Sequence, residues 1–255
     1  MLAARDLLLR GLLAGLLAGV AAFAMAYVVG EPSVRAAIAV EQSEAAEHAA
    51  DGHTHAEEAS GTEVPRSLQS TAGLLTATVV AGATLGGLVG VVSALALGRF
   101  GRLGARGVPL LVAGLGFVTV YAVPFLVYPP NPPAVGQADT IGYRTALYFL
   151  LVAVSLVAGV TAVLVGRRLA VRWGSWYATL AVAAGYLVVL VLAAALMPRY
   201  DEVPADFPAS VLYAFRRASF LTQLTLWGVL GLALAQLTQR SAVRGRPGRV
   251  VTGVA

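Results

Sequence analysis

The chain has no cysteine and no lysine, and no charge stands near the centre of any long apolar run. Without cysteine there is no disulfide framework, no zinc–thiolate site and no thiol nucleophile. Without lysine there is no Walker-type phosphate loop, no pyridoxal Schiff base and no kinase lysine, and all 18 basic residues are arginine. Ionisable residues inside a membrane mark proton relays and ion sites, so their absence from mid-run positions argues against a proton-coupled exchanger built on a buried carboxylate. The polar side chains within the runs are neutral Thr, Ser, Gln and Tyr, for example Thr76, Thr84, Thr119, Ser155, Thr161, Thr179, Gln223 and Thr225. A metal crossing there would meet hydroxyls, carbonyls, water, a thioether such as Met25 or Met197, or a partner's groups.

What is present is apolar: 255 residues, 58% hydrophobic and only 12% charged, the composition of a polytopic membrane protein. Six uncharged runs reach the roughly 20 residues a helix needs to cross a bilayer. They lie near 11–29, 71–97, 108–127, 145–165, 176–197 and 219–237. The first could serve as a secretory signal, with Ala24 and Ala26 imitating a cleavage site, but apolar sequence continues through Tyr27, Val28 and Val29. The expected fold is all-α: a single transmembrane domain over 1–240 with six transmembrane helices, followed by a basic cytoplasmic tail over 241–255.

Arginine placement sets the expected orientation. Arg5, Arg10, Arg99, Arg102, Arg106, Arg167, Arg168, Arg172, Arg240, Arg244, Arg246 and Arg249 fall at the termini and the even-numbered loops, which puts both termini in the cytoplasm. Of the 13 acids, only Asp6 shares that side, and all 3 histidines lie on the other. Acids contribute little to insertion, so this asymmetry needs a separate cause, such as drawing cations to the outer face. The net charge of +5 is therefore no sign of a nucleic-acid partner. Gly11, Gly15 and Gly19 in the first run, and Gly82, Gly86 and Gly90 in the second, form small-residue seams that let helix backbones approach. Trp173 and Trp176 suit the interfacial belt.

The polar connections carry the candidate chemistry. Tyr128 to Arg144 interrupts the apolar sequence with Pro129, Pro130, Pro132 and Pro133, which forbid a continuous helix. This stretch reads as a rigid interhelical turn or as the rim of a transport path. Asp139 is placed to cap a helix beginning near Thr140. The first outer loop, 30–66, opens with Glu31 and Pro32, and Ser33 to Ala50 is rich in helix formers. There Glu41, Glu44 and His48 share a helical stripe, and His53 and His55 follow among Asp51, Glu57 and Glu58. Imidazole with carboxylate suits cobalt, nickel or zinc, so His48, His53, His55, Glu41 and Glu44 are the candidate metal ligands. The alternative is a solvated acidic segment. The fifth loop holds Arg199, Asp201, Glu202 and Asp206 ahead of Arg216 and Arg217, either as surface pairs or as ligands.

Taken together, EPSVRAAIAVE (31–41), VPFLVYPPNPPAVG (123–136), DTIGYRT (139–145), DEVPADFP (201–208) and Phe215-Arg216 resemble the signatures of the CbtA family, the membrane subunit of a predicted cobalt transporter. The resemblance implies a bacterial inner-membrane cobalt permease tied to cobalamin supply and acting with a small single-span, histidine-bearing companion. It marks Glu31, Glu41, Asn131, Asp139, Arg144, Glu202, Asp206 and Arg216 as outer-mouth positions. The family often has a lysine where this chain has Val127, and it is often described with about five spans. Five would put the arginine-rich tail outside, against the charge rule. The resulting expectation is a permease subunit taking up Co2+ or Ni2+ as substrate, without a tightly bound cofactor and without enzymatic activity. The alternatives are a non-transporting scaffold whose outer loops bind a partner, and a membrane enzyme using Asp139, Asp201, Glu202 or Asp206 as acid and base. The enzyme would need two carboxylates close together in a cleft with a perturbed pKa.

Overall fold

The computed structural model describes residues 4–50, 65–100 and 103–244, with side chains described except those of 47–50 and 241–244. Among the described residues all regular structure is helical. Helix α1 covers 4–50, α2 covers Arg66–Ala96, α3 covers Gly107–Val127, α4 covers Ile141–Leu196 and α5 covers Ala209–Arg244. All five contain stretches long and apolar enough to cross a bilayer. Three of them include a widened π-helical stretch, at Ala26–Gly30, Gln69–Gly73 and Phe117–Ala122. In α1 this stretch comes just before Pro32, which has no N–H to give the helix, and Ser33 Oγ donates to the Gly30 carbonyl at 2.7 Å. The helix therefore passes the expected start of the first outer loop and continues through Glu31–Ala50.

Helix α4 has 56 residues, and if straight would measure about 84 Å against a hydrocarbon layer of about 30 Å. It is not straight. Gly174 adopts φ 77° and ψ 159°, a conformation essentially restricted to glycine, and the chain reverses there. Ser155 and Tyr186 share a hydrogen bond of 2.8 Å, and Gly166 faces Val182. The halves 141–173 and 175–196 thus fold back on each other.

The chain forms two compact units. The first comprises the described residues of Met1–Ala24, Thr71–Gly114 and Leu224–Ala255. Its core is the glycine seam predicted from sequence. A β-carbon at Gly15 would stand 2.1 Å from the Gly82 carbonyl oxygen, and one at Gly86 would stand 2.2 Å from that of Gly11, so α1 and α2 touch backbone to backbone. Leu7, Val108, Leu230 and Leu234 are fully buried beside it.

The second unit comprises Met25–Ser70 and Leu115–Gln223, as far as these are described. Phe117, Tyr121 and Phe125 follow one face of α3 at four-residue spacing and meet Phe220 of α5, with Phe125 and Phe220 centroids 5.4 Å apart. Thr119 packs over Gly159 of α4. The hydroxyls of Thr119 and Thr179 bond to carbonyls four residues back in their own helices. This unit also gathers the polar connections.

Candidate functional site

Three segments distant in sequence meet at one end of the second unit: the stretch of α1 from Glu31 onward, the connection between α3 and α4, and the connection between α4 and α5. The prolines after Val127 keep the second of these extended, and Tyr128 Oη fastens it by donating to the Pro198 carbonyl at 2.8 Å. It then turns sharply. Ala134 has φ 67° and Gly136 has φ 118°, and the turn drives Val135 into a small core with Ala37 and Phe207.

Gly136 has a second role. Its missing side chain leaves room for the Arg144 guanidinium, which a β-carbon would approach to 2.7 Å. From there Arg144 Nη1 reaches Glu202 Oε2 at 2.9 Å, while Arg144 Nη2 donates to the Gln137 carbonyl at 3.4 Å. The same carboxylate accepts the Gln137 N–H at 3.0 Å and the Thr140 hydroxyl at 2.7 Å. Both oxygens of Glu202 are therefore occupied from the opposite connection. A second clasp lies nearby: Arg216 Nη2 donates to Asn131 Oδ1 at 3.0 Å. A third joins α1 to the start of α2, where Glu31, only 6% exposed, pairs with Arg66 and with Arg35 at 3.6 Å.

The Thr140 hydroxyl, the Gln137 N–H and the Arg144 guanidinium together hold the Glu202 carboxyl below the usual carboxylate range. A group with a depressed folded-state pKa adds stability that is fully present above its unfolded value and disappears as pH falls through the folded one. Thermal stability measured from neutral pH downward should therefore drop as pH passes below the ordinary glutamate range. In Glu202→Gln that part of the acid limb should be flatter.

Residues 4–239 match a family model described as "probable cobalt transporter subunit (CbtA)". The chain belongs to the CbtA family. No curated protein and no solved structure matches it. With its five long apolar helices, this CbtA chain is a multi-pass membrane protein of a transporter-subunit family.

Of the positions singled out in sequence, the CbtA fold brings Glu31, Asn131, Arg144, Glu202 and Arg216 into the clasps. Asp206 is exposed. Asp139 does not cap α4: the helix begins at Ile141 with Thr140 at its N-cap and no side-chain cap, and Asp139 is exposed. The reason is local. Asp139 stands one residue ahead of the N-cap position, and the Thr140 hydroxyl, which holds that position, bonds to Gln137 and Glu202. Glu41 is exposed and Glu44 half-buried on α1, and the backbone at His48 is helical. The His48 side chain, and His53 and His55 altogether, lie outside the described residues. Among the described residues no three His, Asp or Glu side chains gather as a metal site. The carboxylates of Glu31 and Glu202 instead accept from arginines, and Asp201 is exposed. Sequence reading missed Gly136, Gln137, Thr140 and Arg66. The first had a signal, a glycine closing a proline-rich turn. Arg66, 35 residues from Glu31, had none.

Proposed function

We propose that this CbtA chain is an inner-membrane permease subunit for uptake of a divalent transition metal, with Co2+ the favoured substrate and Ni2+ the nearest competitor. Membership of a family described as a cobalt transporter subunit, over residues 4–239, carries this reading. In it the acid- and histidine-rich segment collects the ion, with Glu41, Glu44, His48, His53 and His55 as weak ligands. The clasped connections form a rigid rim that delivers the ion to a path of neutral oxygens, and a single-span, histidine-bearing companion completes the assembly.

The reading takes the chain across the membrane six times, with both termini in the cytoplasm. The contact between Glu202 and Thr140 supports this count, because the connections before and after α4 meet, so α4 begins and ends at the same end of its unit. A helix that leaves and returns crosses twice, and the reversal at Gly174 lies among Arg167, Arg168 and Arg172, where the charge rule expects cytoplasm.

Radiolabelled cobalt and nickel uptake at limiting metal, in cells with and without the chain, tests the proposal. Loss of the chain should remove most cobalt uptake. Deleting 44–58, and with it His48, His53 and His55, should raise the cobalt concentration for half-maximal uptake by roughly tenfold, the equivalent of about 1.4 kcal/mol of ion affinity. Unchanged uptake in that variant would refute the capture role. Equal uptake with and without the chain would favour the scaffold.

A further inference from the structure

The two halves of α4 leave an open groove of about 640 Å³ between them, walled by small residues, among them Ala158 and Ala162 on one side and Ala181 and Gly185 on the other. Its lining is apolar apart from Thr161 and Tyr186, and the Tyr186 hydroxyl is already bonded to Ser155. A polar ligand would lose its hydration there and gain little in return. Leu169 belongs to the lining, and the stripe Val165, Leu169 continues at helical spacing to Arg168 and Arg172. Both arginines are exposed, and among the described residues neither forms an ion pair. Trp173 and Trp176, 55% and 70% exposed, flank them as interfacial residues do. An apolar slot thus ends at two cationic groups that no carboxylate among the described residues pairs with.

We propose that this groove is a binding site for an anionic phospholipid, with an acyl chain between the halves of α4 and the headgroup phosphate on Arg168 and Arg172. Charge complementarity selects this occupant over a zwitterionic lipid, whose own cationic group would be repelled by the arginines, and over a hydrophobic partner helix, which would leave them unused. The inference is independent of metal transport and of which face of the membrane the reversal occupies.

The test uses the purified full chain in detergent, titrated with phosphatidylglycerol or phosphatidylcholine carrying brominated acyl chains, which quench nearby tryptophan fluorescence. Phosphatidylglycerol should quench at lower concentration, by about fivefold per arginine. Arg168→Gln with Arg172→Gln should abolish the difference, whereas Arg168→Lys with Arg172→Lys should keep it. Ala162→Phe and, on the opposite wall, Gly185→Leu should weaken quenching by both lipids while helical content is retained. Equal quenching by the two lipids in the unmodified chain, or a preference that survives the double glutamine variant, would overturn the headgroup contact. Quenching unaltered by both groove-filling variants would mean a general lipid annulus and would overturn the groove. Displacement by inorganic phosphate at concentrations equal to the lipid would also overturn it, since free phosphate has no acyl anchor.

Discussion

Gly86→Ala should leave little correctly packed protein, whereas Gly114→Ala should be nearly silent. A β-carbon at Gly86 would stand 2.2 Å from the Gly11 carbonyl oxygen and 2.7 Å from the Gly15 α-carbon. No rotamer change relieves a collision with backbone, so α1 and α2 must move apart along the seam, and with them the reciprocal contacts of Gly11, Gly15, Gly19, Gly82 and Gly90. Overpacking ordinarily costs about 1–3 kcal/mol when side chains yield, and here the obstacle is main chain, which puts the cost at or above the top of that range. A β-carbon at Gly114 meets nothing within 4 Å. Gly87 is intermediate, since its neighbours are the ends of Leu8 and Leu12 side chains, which can shift. Thermal unfolding of the detergent-purified variants should rank Gly86→Ala far below Gly87→Ala, with Gly114→Ala close to the unmodified chain. Equal stability of all three would refute the backbone seam.

Gly136→Ala should be the most damaging single change in the connections. Its φ of 118° is strained for any side chain, at about 1–3 kcal/mol, and the added β-carbon would occupy the place of the Arg144 guanidinium. Displacing Arg144 removes the charged partner of Glu202, leaving the Gln137 N–H and the Thr140 hydroxyl to hold the two connections together. The two contributions separate in a double-mutant cycle. In an Arg144→Ala background the steric part has already gone, so Gly136→Ala should then cost only the backbone strain. Strict additivity would show that the guanidinium does not depend on Gly136. In the proposed permease, cobalt uptake should fall with both single variants, and Arg144→Lys should rescue poorly, because one ammonium cannot serve Glu202 and the Gln137 carbonyl in the geometry of a guanidinium fork.

Local features of this fold were readable, and long-range pairings were not. The glycine seam was legible because four-residue spacing on an apolar helix has a single steric meaning, and the proline run was legible because each ring removes a donor. The turn between the halves of α4 showed in sequence as a basic interruption separating two apolar runs. The helix nevertheless continues through Arg167, Arg168 and Arg172, since arginine is a good helix former, and the break is confined to Gly174. The same helix-forming composition carried α1 beyond its apolar stretch. Asp139 misled because a helix does begin nearby, but one residue later than a cap at Asp139 requires, and Thr140 at the N-cap spends its hydroxyl on Glu202. Nothing in the sequence joined Glu31 to Arg66, Asn131 to Arg216 or Glu202 to Arg144, because such partners are chosen by the fold.

In the proposed topology the acidic, histidine-bearing connections face outward and the reversal at Gly174 faces the cytoplasm. The absence of cysteine makes it directly measurable, since a single introduced thiol is the only target for a membrane-impermeant maleimide. On intact cells His53→Cys should be labelled, and Ser175→Cys should react only after permeabilisation. Labelling of Ser175→Cys with protection of His53→Cys would contradict the account, because the capture segment would then lie on the cytoplasmic side and could not collect metal for uptake.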